Sequence, residues 1–276
     1  MSMSAITRAY IASRHGQLHY RIARPAQPAS APPLLCLHQT PASGADWLPV
    51  MADLADCRVV VAPDTPGYGM SDPPPEPLGI GDFAAIMTAF MDDLAAAGIV
   101  AQGPFDVAGM HTGSVTATEL AGRLPQRVRR VVLFGIPAYP AEIRAEKLAT
   151  LREKFPVPGN DLAHVEKLWA VISKLSDPRM SAEHRHVGMA ECLRLGSRMP
   201  WGYVAVYRYD LLAALPRITQ PVLVVNPEDD LWAVTGATAG LIPDARRLEL
   251  PGIKHGVLSI AHDQVVGAIR SFLEEA

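Results

Sequence analysis

Two hydrophobic patterns alternate along most of the chain. Short, mostly apolar runs at 34–37, 59–62, 105–108, 128–134 and 221–225 read as strands buried on both faces. Between them, apolar residues recur at three- and four-residue spacing, as one buried helix face requires. Trp47, Val50, Met51 and Leu54 form one such face, and Phe83, Ile86, Phe90 and Leu94 form another, with Gly98 as its C-cap. A helix over about 112–123 separates the strands 105–108 and 128–134, which makes one βαβ unit. Ahead of this alternation, 8–12 and 17–22 flank a turn at Arg14, His15 and Gly16 and predict an antiparallel hairpin. The Pro- and Ala-rich stretch 25–33 is the one linker-like segment. From Pro137 to Tyr203 the strand signal disappears, leaving amphipathic helical segments broken at 156–159 and at Asp177-Pro178. Strand pattern resumes at 221–225 and near 248–250, and a helix over 264–273 ends the chain. The pattern predicts a mostly parallel sheet wrapped by helices. One core domain comprises residues 1–136 and 204–276, and 137–203 form a helical lid inserted into it.

Composition narrows the picture without naming a function. At 276 residues, 49% hydrophobic and 19% charged, the chain can bury a large core and is not of disordered composition. A net charge of −3 with no basic cluster argues against nucleic acid or an anionic membrane as partner. No apolar run spans a bilayer, and the N-terminal stretch lacks the apolar segment of a secretory signal. Cys36, Cys57 and Cys192 lie far apart and read as reduced thiols, so a cytoplasmic protein is expected. The partner expected is a small-molecule substrate. Oligomeric state is left open, a homodimer being one option.

Three segments carry candidate chemistry. In Gly109-Met110-His111-Thr112-Gly113, two glycines bracket a central residue where a strand meets a helix. Such spacing makes a tight turn that lifts the central side chain above the sheet and leaves the next backbone N–H free. Residues 221–230 form a buried strand delivering Asp229 and Asp230 to the same edge. Residues 250–256 follow with a glycine-containing loop ending at His255.

The order of elbow, acid and histidine, with Leu37-His38-Gln39-Thr40-Pro41 and the run Asp64-Thr65-Pro66-Gly67-Tyr68-Gly69-Met70-Ser71, resembles the α/β-hydrolases over essentially the whole chain. The resemblance implies a three-layer fold, an eight-stranded, mostly parallel sheet and a helical lid after strand six. It implies Asp230 as triad acid, with Asp229 as its rival, and His255 as triad histidine. The chain departs from the family at Gln39, where glycine is usual, and at His111, where serine is usual. Neither Ser71 nor Ser114 has the flanking glycines and position that would replace that serine.

A neutral imidazole carries a lone pair, so His111 can attack an ester, lactone or thioester and give an acyl-imidazole. His255 with Asp230 would then activate water, and the N–H groups of Thr40 and Thr112 would hold the oxyanion. Two alternatives remain. His111 could act as general base in cofactor-free hydrolysis or C–C or C–O cleavage, or the protein could bind a ligand without turnover. His111 and His255 are expected to interact, with His111 the more readily neutral of the two. Gln39, Met110, Trp169, Trp201, Tyr203, Tyr207 and Trp232 are candidate pocket residues. His38 reads as a hydrogen-bonding residue of its loop. His184, Arg185 and His186 read as a solvated helix face, since positions i and i+2 point apart. Neither a metal nor a cofactor is expected.

Overall fold

The structure is a computed structural model describing residues 5–155 and 158–275. The part of the predicted helix break at 156–157 lies outside these residues. The hairpin β1 (Ile6–Ser13) and β2 (Gly16–Ala23) leads into β3 (Leu34–Leu37), α1 (Leu48–Leu54), β4 (Val60–Pro63) and α2 (Ile80–Ala96). Then come β5 (Phe105–Met110), α3 (Thr112–Arg123) and β6 (Val128–Phe134). Helices α4 (Ala141–Ala149), α5 (Leu151–Lys154), α6 (Ala163–Leu175), α7 (Ala182–Leu195), α8 (Trp201–Arg208) and α9 (Leu211–Ala214) follow without a strand. The chain returns to the sheet at β7 (Val222–Pro227), then α10 (Trp232–Thr238), β8 (Ala245–Leu250), α11 (Val257–Ile260) and α12 (His262–Glu274).

The eight strands lie in the order β1-β2-β4-β3-β5-β6-β7-β8. Only β1 and β2 run antiparallel to their neighbours; β3 to β8 pair in parallel. The predicted strands therefore all form, and β8 begins earlier than its apolar residues suggested. Its start, Ala245-Arg246-Arg247, is polar because β8 is an edge strand with one exposed face.

Two apolar layers sandwich the sheet. One face packs Leu35, Val107, Val131 and Val224 against Phe83, Met87 and Phe90 of α2 and Val115 and Leu120 of α3. The other packs Cys36, Ala108, Val132 and Val225 against Trp47, Met51 and the α12 residues Val265, Ile269 and Phe272. At roughly 1.5–3 kcal/mol for each fully buried large side chain, these layers fix the sheet on which the elbow rests. Cys36, Cys57 and Cys192 are free.

The helices between β6 and β7 do not stop at the expected boundary. Helix α8 runs through residues 203 and 204 to Arg208, and helical structure persists to Arg217. Its buried residues Ala205 and Val206 join the α2–α3 core layer, so the same helix serves both parts of the molecule.

Candidate active site

The elbow geometry follows from its two glycines. A Cβ on Gly109 would lie 2.2 Å from the carbonyl oxygen of Gly113, and one on Gly113 would lie 2.2 Å from that of Leu37. No other residue type fits either position. Between them His111 adopts φ 47° and ψ −105°, the only positive φ among the described non-glycine residues. Such backbone is uncommon for a side chain of this size and stores about 1–3 kcal/mol. His111 N–H bonds to Phe134 O at 2.8 Å, and Ser114 Oγ donates to Gly109 O and Phe134 O, tying the turn to β6. Ser114 is thus a structural brace inside the elbow. Gly135, just beyond β6, completes the setting. Its φ is +63°, and a Cβ there would sit 2.7 Å from His111 Cδ2. The absent side chain makes room for the imidazole ring.

The expected relay of His111, Asp230 and His255 divides into two pairs. Nε2 of His111 bonds to Asp229 Oδ2 at 2.9 Å, and Nε2 of His255 bonds to Asp230 Oδ1 at 2.8 Å. Both neighbouring carboxylates are engaged, each by its own histidine. The turn after β7 separates them: Asp229 N–H returns to Pro227 O and Leu231 N–H caps Asp229 Oδ1. This tucks the Asp229 side chain inward, 3% exposed, while that of Asp230 is 51% exposed. The two imidazole rings meet edge to face with centroids 5.2 Å apart.

The electrostatics reverse the expectation that His111 is the readily neutral ring. Burial disfavours its imidazolium, but Asp229, with Asp230 and Asp46 behind it, outweighs burial and raises the His111 pKa. For the carboxylates too, burial opposes charge. His111 and His255 nonetheless hold Asp229 below the ordinary value, and His255 and His111 hold Asp230 at about 2. The opposing carboxylates were in the sequence; that both would face histidines was not.

His38 lies as expected in the loop beside the site. A carbonyl only accepts, so Nδ1–H donates to Gln39 O at 2.6 Å, and Nε2 accepts from Thr65 N–H at 2.9 Å. Both contacts require the neutral ring, and burial lowers the His38 pKa accordingly. Beneath this loop, buried Asp64 receives Gly44 N–H, Met70 N–H, Arg21 and His19. Burial works against its charge, yet these partners keep its pKa at about 2. Thr40 and Thr112 are buried, and both line the cavity. Among the described residues, neither N–H donates to a protein acceptor.

A cavity of about 250 Å³ opens over these residues. Gln39, Tyr203 and Tyr207 line it, as do His111, Asp230 and His255. Met110, Trp169, Trp201 and Trp232 do not. Met110 ends β5 pointing into the apolar layer against α1 and α12. Trp169 packs on His186 with ring centroids 4.8 Å apart. At the start of α8, Gly202 rather than Trp201 abuts the site, since a Cβ on Gly202 would lie 2.3 Å from Thr40 Oγ1. Trp232 begins α10 directly after the turn that carries Asp229 and Asp230, and its neighbour Leu231 lines the cavity instead.

Sequence reasoning missed several lining groups, His184, Arg185, Asp46 and Lys147 among them. His184 and Arg185, read as a solvated face, border the cavity because α7 packs across it. Asp46 lies in the short helical turn after Ser43, with Oδ2 buried and without a partner. Burial lifts its pKa to about 7 against the pull of Gln39 and His111. An isolated acidic residue before an apolar helix gives no sequence sign of this. One donor atom from each of His111, Asp229, Asp230 and His255 falls within 4.8 Å of the others. Such an imidazole–carboxylate set could accept zinc or a similar divalent ion, in competition with the two hydrogen bonds already made.

A family model described as the alpha/beta hydrolase fold matches residues 32–168. The chain is 26% identical over 259 residues to 2-(acetamidomethylene)succinate hydrolase of Mesorhizobium japonicum, with 89% of each chain covered. It is 26% identical over 277 residues to haloalkane dehalogenase 2 of Mycobacterium tuberculosis, covering 93% of this chain and 91% of that one. The enol-lactonase of Burkholderia xenovorans LB400 superposes with a TM-score of 0.75 at 24% identity, over 97% of this chain and all of that one (100%). The chain has the alpha/beta hydrolase fold, an eight-stranded, mostly parallel sheet flanked by helices.

Proposed function

We propose that the protein hydrolyses a small acyl compound, an ester, lactone or thioester, with His111 as general base. The observation that carries this reading is the part-buried His111–Asp229 pair, whose imidazole lines the cavity with its centroid 5.2 Å from that of the second imidazole. With Nε2–H given to Asp229, the lone pair of His111 resides on Nδ1. That atom takes a proton from water as the water oxygen bonds to the carbonyl carbon. Thr40 and Thr112 N–H receive the oxyanion. The bond to the leaving oxygen or sulfur then breaks, and the proton passes to the departing atom, returning His111 to neutrality. His255, held by Asp230, is the second group able to deliver it. The named activities of the Mesorhizobium hydrolase and the Burkholderia enol-lactonase support acyl chemistry. The helices between β6 and β7 serve as the lid of this site, since α4, α6, α7 and α8 all supply lining residues.

One observation favours a second reading, in which His111 itself attacks. It occupies the elbow position beside a free helix N-terminus, where a nucleophile would sit. In that case the acyl group transfers to the imidazole, and water later removes it. Acid-quenched intact-mass measurements during turnover of p-nitrophenyl acetate, dihydrocoumarin and an acetyl thioester separate the two. Base catalysis gives turnover without adduct, and an acyl mass on His111 establishes the nucleophile. Absence of turnover on the whole panel, with H111A indistinguishable from wild type, would overturn the enzyme reading.

A further inference from the structure

We infer that the site takes a substrate bearing a carboxylate apart from its reacting acyl carbon, and that Lys147 and Arg185 receive that carboxylate. The inference rests on the acyl-hydrolase reading for its placement, but not for its physical basis. Lys147 on α4 and Arg185 on α7 both line the cavity. Lys147 Nζ stands 4.4 Å from the centroid of the Tyr139 ring and 6.0 Å from that of Tyr207. Among the described residues it has neither a hydrogen bond nor a carboxylate within 4.0 Å. Arg185 gives one amino group to Met180 O at 2.6 Å, while its Nε is buried without a partner. Among the described residues it too lacks an ion pair.

A half-buried cation without a counter-ion is unfavourable, and ring faces offset only part of its lost hydration. Consistent with this, burial lowers the Lys147 pKa despite the attraction of Asp230. Two such groups on the helical wall of one small cavity create a place for an anion. The acidic lining residues limit which anion fits. Asp230 and Asp46 line the same cavity, and their carboxyl groups repel dense negative charge. A singly charged, planar carboxylate matches a lysine and a guanidinium nitrogen better than a phosphate dianion does. The cavity volume of about 250 Å³ limits the rest of the molecule to a short chain.

Calorimetric titration with succinate, glutarate, dimethyl glutarate and inorganic phosphate tests this without requiring turnover. Wild type is expected to bind one of the dicarboxylates at least tenfold more tightly than the diester or phosphate. K147Q should lose about tenfold of that affinity, as removal of one charge-assisted bond implies, and K147R should recover most of it. R185Q should weaken binding independently. Equal binding of diester and dicarboxylate, equal binding of phosphate, or unchanged affinity in both K147Q and R185Q would each overturn the inference. The two readings fail differently. Dicarboxylate binding without hydrolysis of any acyl ester refutes the enzyme and keeps the subsite. Hydrolysis of neutral esters with no preference for their ω-carboxy counterparts refutes the subsite and keeps the enzyme.

Discussion

At the residue scale, the protein places charge where burial resists it and lets neighbours decide the outcome. Asp46 is the case in which burial wins, with its pKa near 7. The linkage sign follows directly. Below the unfolded carboxyl value both states are protonated and nothing is lost. Between that value and about 7, the unfolded chain ionises while the folded one stays neutral, so stability falls as pH rises. D46N removes this ionisation. Its melting temperature should therefore gain on wild type between pH 4 and pH 8, and thermal unfolding at several pH values reads the difference. At His111 the neighbours win. H111A should lower turnover by about 10²–10⁴, the span of general base catalysis, and lower stability by about 1–3 kcal/mol, because Asp229 is left buried without the imidazole. Steady-state kinetics beside thermal melts checks this, and retained activity would make the imidazole a filler of the elbow.

At the element scale, legibility tracked how local each signal was. The strands β3 to β7 announced themselves because both faces are buried and their residues are apolar. The elbow was legible because Gly109 and Gly113 are forced by contacts with Gly113 O and Leu37 O. The pairing of Asp229 and Asp230 with different histidines was not legible. It depends on a turn whose backbone bonds to Pro227 and Leu231 set the two side chains apart. Nor could helical periodicity separate tryptophans that pack within the helical layer from tyrosines that face the cavity. Gly135 was overlooked because its partner, the His111 ring, comes from a different element. Its role yields a prediction. In G135A the new methyl must displace the imidazole, and φ +63° adds about 1–2 kcal/mol of backbone strain. Turnover should fall at least tenfold while the protein remains folded, by kinetics and circular dichroism. Unaltered kinetics would mean the ring position is not critical.

At the scale of the whole molecule, a parallel sheet delivers one loop from β5, one from β7 and one from β8 to a common edge, and helices between β6 and β7 supply lining residues of the cavity there. No helix among the described residues is long and apolar enough to cross a membrane. The central claim is that Asp229 makes His111 a base by accepting its Nε2–H and raising its pKa. Long-range ¹H–¹⁵N NMR titration of the His111 imidazole in wild type and D229N measures both features without a substrate. The account predicts a wild-type His111 that carries its proton on Nε2 when neutral and titrates above the ordinary histidine value, falling in D229N. A His111 that titrates at or below that value, holds its proton on Nδ1, or ignores D229N would contradict it.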